Sequence, residues 1–287
     1  MSHSHHGDDS RHDRYGYLKW HVVPRPGWED IWTKILVPDS IKHRLLRYVE
    51  LVLLHDFNTS MVSMPLHRVG LIYGLPGTGK SSLVKGLAVE VAKRHFPDGL
   101  IFAEVNTHAL PSEMLGESQR NTADLLEKAI PELSKRGMPV IVLIDEIDSL
   151  VTDRSRTTSG RDPIDVSRAT EAALRGMDNL MSEVNNVAVL ATSNFEELID
   201  DAFLDRCDIT VEVPLPNREV AAQILRDSLE TMSHSLSNKD FDEVSAHLEG
   251  MSGRAIRKLV FEALIGREED FSKPISQRDI MALFIQR

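Results

Sequence analysis

Short aliphatic runs alternate with amphipathic stretches over the first three-quarters of the chain, and amphipathic stretches alone follow. Val69-Gly70-Leu71-Ile72-Tyr73 and residues 100–105 read as strands, as does 138–144, which ends in the unbroken run Val140-Ile141-Val142-Leu143-Ile144. Such runs belong to parallel strands covered on both faces. Residues 186–192 and 208–213 read as a fourth and a fifth strand. The spacing predicts helices over 82–95, where Leu83, Val84, Leu87 and Val91 share one side, and over 121–136 and 165–181. Ser40 holds the place of an N-cap to a helix carrying Ile41, Leu45, Val49, Val52 and Leu53. Beyond Pro214 and Pro216 only helical spacing continues, over 217–233, 240–248, 252–265 and 276–286. Strand–helix alternation followed by a run of helices predicts an α/β fold, with a parallel-sheet domain over 28–213 and a small helical domain over 214–287.

Residues 1–27 read as a disordered tail and linker. His3, His5, His6 and His12 stand there among Ser, Asp and Arg, with nothing to fix them as metal ligands. All three tryptophans, Trp20, Trp28 and Trp32, lie between 20 and 38. They read as a linker that packs its aromatics on the domain, or as a segment that also closes over a nucleotide base.

Composition narrows the class. The chain has 287 residues, 41% hydrophobic and 27% charged, enough for a full α/β domain and a smaller companion. A net charge of −11 and no basic stripe argue against a nucleic-acid binder. One cysteine, Cys207, leaves no disulfide within the chain and fits a reducing, cytoplasmic setting. No apolar run approaches the ~18 residues of a membrane span, and the polar N-terminus lacks the apolar core of a signal peptide.

The chemistry starts at Gly74-Leu75-Pro76-Gly77-Thr78-Gly79-Lys80-Ser81, which matches the phosphate-loop pattern G-x-x-x-x-G-K-[ST] between a strand and a helix. Its glycines let consecutive N–H groups point at phosphate oxygens, and the helix aims its positive end at them. Lys80 is expected to reach the β- and γ-phosphates and Ser81 to hold Mg²⁺; Ser82 belongs with the same nucleotide-binding set. Asp145-Glu146 follows the aliphatic run directly, so both sit at a strand tip. There Asp145 is expected to bind Mg²⁺ and Glu146 to polarise the attacking water. Asn194 ends the fourth strand, where it reads equally as a γ-phosphate or water contact and as a turn asparagine. By spacing alone, Arg206 is a surface arginine within reach of Asp205 or Asp208, and Arg254 is a helix-start arginine behind the cap Ser252.

The order of these motifs resembles the AAA+ ATPases, over about Trp28 to Arg287. The match is closest to the pachytene-checkpoint members, which remodel HORMA-domain proteins. It is carried by Leu143-Ile144-Asp145-Glu146, Ala191-Thr192-Ser193-Asn194, Asp205-Arg206, Ser252-Gly253-Arg254 and Asn106-Thr107-His108. The resemblance implies an AAA+ parallel-sheet domain with a small helical lid, ATP and Mg²⁺, and a homohexamer with ATP between subunits. It makes Arg206 similar to the arginine finger and Arg254 to the sensor in the lid. Met114, Leu115 and Gly116 fall where the family has a pore loop, with Met and Leu in place of the aromatic of eukaryotic members. Arg154, Arg156 and Arg161 resemble the second pore loop. Fewer than thirty residues precede the ATPase, as in compact bacterial members that act on a HORMA protein and its nucleotide second-messenger synthase in anti-phage systems. General unfoldase or metabolic-enzyme activase activity would use the same site, and a nucleotide-switch loader on nucleic acid is the alternative of another class.

Overall fold

The aliphatic runs form five parallel strands in the computed structural model, and further strands join them at one edge. The structure describes residues 11–12, 16–55, 66–110, 117–151, 163–266 and 275–285. In chain order the strands are β1 (Arg11–His12), β2 (Leu18–Val23), β3 (Val69–Tyr73), β4 (Leu100–Val105), β5 (Val140–Ile144), β6 (Val187–Ser193) and β7 (Cys207–Glu212). Across the sheet the described residues run β1-β2-β4-β5-β6-β3-β7. Strand β2 pairs antiparallel with β4, from Leu18 opposite Val105 to Val23 opposite Leu100, and β1 pairs antiparallel with β2.

Strand β2 corrects the reading of residues 18–23 as linker. Leu18, Trp20 and Val23 are buried, each side chain worth ~1.5–3 kcal/mol against an ordering cost of ~1–2 kcal/mol per residue. The run mixes Lys19, His21 and the exposed Val22 with those positions, so its period is weak in the sequence. The His-rich segment before residue 11 lies outside the described residues.

The helices are α1 (Ile31–Lys34), α2 (Asp39–Leu54), α3 (Lys80–His95), α4 (Glu117–Asp124), α5 (Ile130–Ser134), α6 (Pro163–Glu183), α7 (Asp201–Leu204), α8 (Arg218–Thr231), α9 (Asn238–Ser245), α10 (Gly253–Ile265) and α11 (Gln277–Ile285). Helix α2 starts at Asp39, so Ser40 sits inside its first turn instead of capping it. The helix expected over 121–136 is split by a π-turn at Leu125–Ala129. Pro131 explains the break: it has no N–H to give and its ring crowds the preceding turn.

Both faces of the sheet are covered. Val140, Val142 and Ile144 of β5 join one cluster with Leu125, Leu126 and Ile130 before and within α5 and with Met177 and Leu180 of α6. The alternate residues Ile141 and Leu143 are as fully buried on the other side, which is why the run carries no polar position. Among the described residues no helix is long and apolar enough to cross a membrane.

The chain divides into two compact units. The first is Met1–Ile35, Asp39–Tyr73 and Ser81–Glu212; the second is Leu36–Pro38, Gly74–Lys80 and Val213–Arg287. The second unit has its own core, in which Leu225 of α8, Val244 of α9, Leu259 of α10 and Ile280 of α11 are buried, with Leu36 packed against it. Side chains cap its helices: Val220 N–H donates to Asn217, Asp240 N–H to Ser237, which starts α9 two residues before the expected 240, and Ala255 N–H to Ser252, the cap read from the sequence.

Candidate active site

Parallel pairing brings chemistry from distant segments to one edge. Glu104 lies opposite Leu143, Ile144 opposite Ala191 and Tyr73 opposite Ser193. Continued by one or two residues, these registers place Asn106, Asp145 and Thr192 at the carboxyl ends of adjacent strands. The chain also leaves β3 into the 74–81 bend at this edge, the usual place for ligands in such sheets.

The bend is built on left-handed backbone, with φ of 145° at Gly74, 81° at Gly77 and 97° at Gly79. A Cβ on Gly74 would stand 2.3 Å from the Val213 carbonyl oxygen. Gly74→Ala is therefore expected to cost about 1–3 kcal/mol of stability and to weaken nucleotide binding, as read by urea unfolding and nucleotide titration. Lys80 is buried, and its Nζ donates to the Gly74 carbonyl at 2.7 Å and the Leu75 carbonyl at 3.2 Å. Its aliphatic stem thus holds the ammonium at the mouth of the bend. Arg254 N–H donates to the Gly77 carbonyl at 3.1 Å, which ties the start of α10 to the bend within the second unit. The Arg254 residue is exposed.

Asp145 and Glu146 are positioned by hydroxyl groups. Ser81 Oγ donates to Asp145 Oδ1 at 2.7 Å. The buried Thr192 hydroxyl donates to the same oxygen and accepts from Glu146 N–H at 3.2 Å. One threonine thereby sets both acidic residues. Glu146 is held at φ 55°, ψ 53°, an uncommon left-handed conformation for a residue with a Cβ. Such strain persists where surrounding contacts over-determine it, and functional sites are where it concentrates. Ser81 and Asp145 offer hard oxygen donors already in contact, the donor type that Mg²⁺ takes from a protein before substrate phosphates complete its shell. Next to them lies a cavity of about 240 Å³, with Glu104, Asn106, Asp145 and Glu146 on its wall.

The half-buried Asn194 follows β6 directly, after Ser193, whose hydroxyl donates to Asp148 at 2.9 Å. Arg206 pairs with neither Asp205 nor Asp208. Its Nε and Nη2 donate to the two oxygens of Asp178 on α6, both at 2.8 Å, and its Nη1 donates to the Ala202 carbonyl at 2.7 Å. The Arg206 hydrogen bonds hold the Asp178 carboxyl below the usual carboxylate range. Asp208 is engaged elsewhere, accepting from Tyr48 Oη and from His67 N–H. Burial pushes the neighbouring Cys207 thiol up to about 12, which leaves it without thiolate character. Met114, Leu115, Gly116, Arg154, Arg156 and Arg161 lie outside the described residues.

Sequence reasoning gave Thr192 no role of its own, although it stands two residues before Asn194. It also passed over Asp178, which carries no local mark. Their roles come from strand register and from the side-chain pairing of α6 with the residue that follows α7 by two.

Comparisons with known proteins identify the family. The model of the ATPase family associated with various cellular activities (AAA) matches residues 70–215. CD-NTase-associated protein 6 of Pseudomonas aeruginosa is 38% identical over 84% of this chain and 82% of its own length. The pachytene checkpoint protein 2 homologue of Arabidopsis thaliana is 33% identical over 89% of this chain but 63% of its own length, so the chain spans under two-thirds of that relative. A chain in a solved HORMA:CdnC:Trip13 complex of E. coli MS115-1 superposes with a TM-score of 0.76 at 16% identity, over 96% of this chain and 98% of that one, a likeness of fold. The chain belongs to the AAA ATPase family: it has the AAA+ fold, binds nucleotide and is an ATP hydrolase, grouped with CD-NTase-associated protein 6 and the pachytene checkpoint protein 2 homologues.

Proposed function

We propose that the chain is an ATP- and Mg²⁺-dependent motor that partly unfolds a HORMA-domain protein and so takes apart its complex with a nucleotide second-messenger synthase. The observation that carries the chemistry is the hydrogen-bond chain Ser81–Asp145–Thr192–Glu146. It supports a strand tip where Ser81 and Asp145 hold the cation and Glu146 accepts a proton from the attacking water. Bound Mg²⁺ would supply charge neutralisation at the β- and γ-phosphates. The amides of 74–82 and the Lys80 ammonium hold the polyphosphate, and Asn194 bridges γ-phosphate and water. Arg254, whose own N–H already binds the phosphate bend, serves as the lid sensor.

The motor works as a homohexamer in the cytoplasm, with Arg206 of one subunit serving the γ-phosphate held by the next. Met114, Leu115 and Gly116, with Arg154, Arg156 and Arg161, line the pore and draw a terminal segment of the substrate through it. Flexible Met and Leu side chains can grip a passing peptide without an aromatic. The substrate assignment is supported by 38% identity to a protein named for its association with a CD-NTase. The fold neighbour solved in a complex of HORMA, CdnC and Trip13 supports it as well. The direct test mixes the full chain and ATP·Mg²⁺ with a preformed HORMA–synthase complex and follows it by size-exclusion chromatography and phosphate release. Loss of the complex peak with ATP, and its survival with a non-hydrolysable analogue, is the expected result. A complex that stays whole while ATP is hydrolysed would remove the HORMA assignment and leave the ATPase standing.

A further inference from the structure

The cavity beside Asp145 and Glu146 has a third carboxylate on its wall, Glu104 of β4. Left alone, that charge would stand on the same cavity wall as Asp145 and Glu146. It is met from α3: Lys85 Nζ lies 2.8 Å from Glu104 Oε2, with the two side chains only 30% and 28% exposed. Lys85 stands four residues after Ser81, on the same face of α3. One helix face thus brings a hydroxyl to Asp145 and an ammonium to Glu104. The ammonium also has an aromatic neighbour. It lies 5.8 Å from the centroid of the Trp28 ring, and Trp28 meets Phe102 of β4 edge-on at 5.8 Å between centroids. Phe102 stands two residues before Glu104 on the same strand.

We propose that Lys85 is a positioning residue for ATP hydrolysis: paired with Glu104 and near the Trp28 ring, it cancels the Glu104 charge beside Asp145 and Glu146. This rests on the reading of those two residues as the hydrolytic pair. It also gives the tryptophan-bearing N-terminal segment a part in turnover.

The experiment measures kcat, KM and the binding of a fluorescent ADP analogue for five variants of the full chain, with thermal unfolding as a check on the fold. Lys85→Met leaves the Glu104 charge bare and is expected to lower kcat about tenfold, the effect of one pKa unit of charge interaction, with ADP binding changed less than about threefold. Lys85→Arg keeps the charge and should keep kcat. The decisive variant is the double Lys85→Met/Glu104→Gln, which removes both charges and should return kcat to within about threefold of the parent. A purely structural ion pair would show the loss in Lys85→Met and the recovery in the double variant as parallel changes in thermal unfolding, whereas the proposal expects kcat to move while the unfolding midpoint stays near the parent. Trp28→Leu removes the ring face and is expected to lower kcat about threefold, the worth of an ordinary cation–π contact; an unchanged kcat would take the N-terminal segment out of the mechanism. Parental kcat in Lys85→Met, or no recovery in the double variant, overturns the proposal. Glu146→Gln in the same assay separates the two levels. If it hydrolyses normally, the hydrolytic pair itself is misassigned; if it is inactive while Lys85→Met is normal, only the role of Lys85 falls.

Discussion

Glu146→Gln is expected to lower kcat for ATP hydrolysis roughly 10²–10⁴-fold, the usual worth of a positioned general base, while nucleotide binding stays near that of the parent. The amide matches the carboxylate in size but cannot take the proton of the attacking water. The backbone that aims residue 146 does not depend on its side chain. Its N–H is held by Thr192, and the same hydroxyl binds Asp145. The left-handed conformation at Glu146 is as open to Gln as to Glu, so the substitution tests chemistry and not folding. Phosphate release and nucleotide titration, run separately, give the two readouts. A variant that binds ATP and keeps its substrate complex without turnover fits the proposal. Turnover at the parental rate would move water activation to another group.

Arg206→Ala is expected to be at least as severe, about 10³–10⁵-fold in kcat, as for other arginines that stabilise a transferring phosphoryl group. Asp178 holds the guanidinium through two hydrogen bonds, so its plane is already oriented. Lysine has neither the fork nor the plane, and Arg206→Lys should not rescue. Asp178 is 43% exposed, and a partly exposed ion pair contributes only about 0–1 kcal/mol. Misfolding therefore does not explain the loss. Mixing decides whether the finger acts on a neighbour. Arg206→Ala and Glu146→Gln subunits, each inactive alone, should regain measurable hydrolysis together, because the first kind keeps its base and borrows an arginine from the second. Mixtures that stay inactive would place Arg206 in its own subunit's site.

These two residues differ in how they can be recognised. Asp145 and Glu146 follow five aliphatic residues, and a fully buried strand has to end where its first charges appear. Position and exposure of the acidic pair were therefore readable from composition along a few residues. The same holds for the glycine pattern of 74–81, for the helices beyond 217 and for Ser252 as a cap. In each case a short-range force, such as an unpaired amide or a helical apolar stripe, acts between residues close in the chain. Arg206 read locally as the partner of Asp205 or Asp208, yet its carboxylate comes from α6, 28 residues earlier. The function carried over for Arg206 rests on family resemblance; the contact that orients it needed the packed fold.

Chain-local information thus sufficed for the alternation of strands and helices, the phosphate bend and the placing of the acidic pair, because backbone sterics and burial periodicity operate within a turn or a strand. Other features depended on which strands became neighbours. Residues 18–23 are a strand because β4 offers them an open edge. Thr192 governs Asp145 and Glu146 because β6 lies beside β5 in parallel register. Lys85 meets Glu104 because α3 packs on β4. Hydrogen-bond ladders and ion pairs of this kind join residues tens of positions apart, and the pairing exists only once the sheet has closed its order.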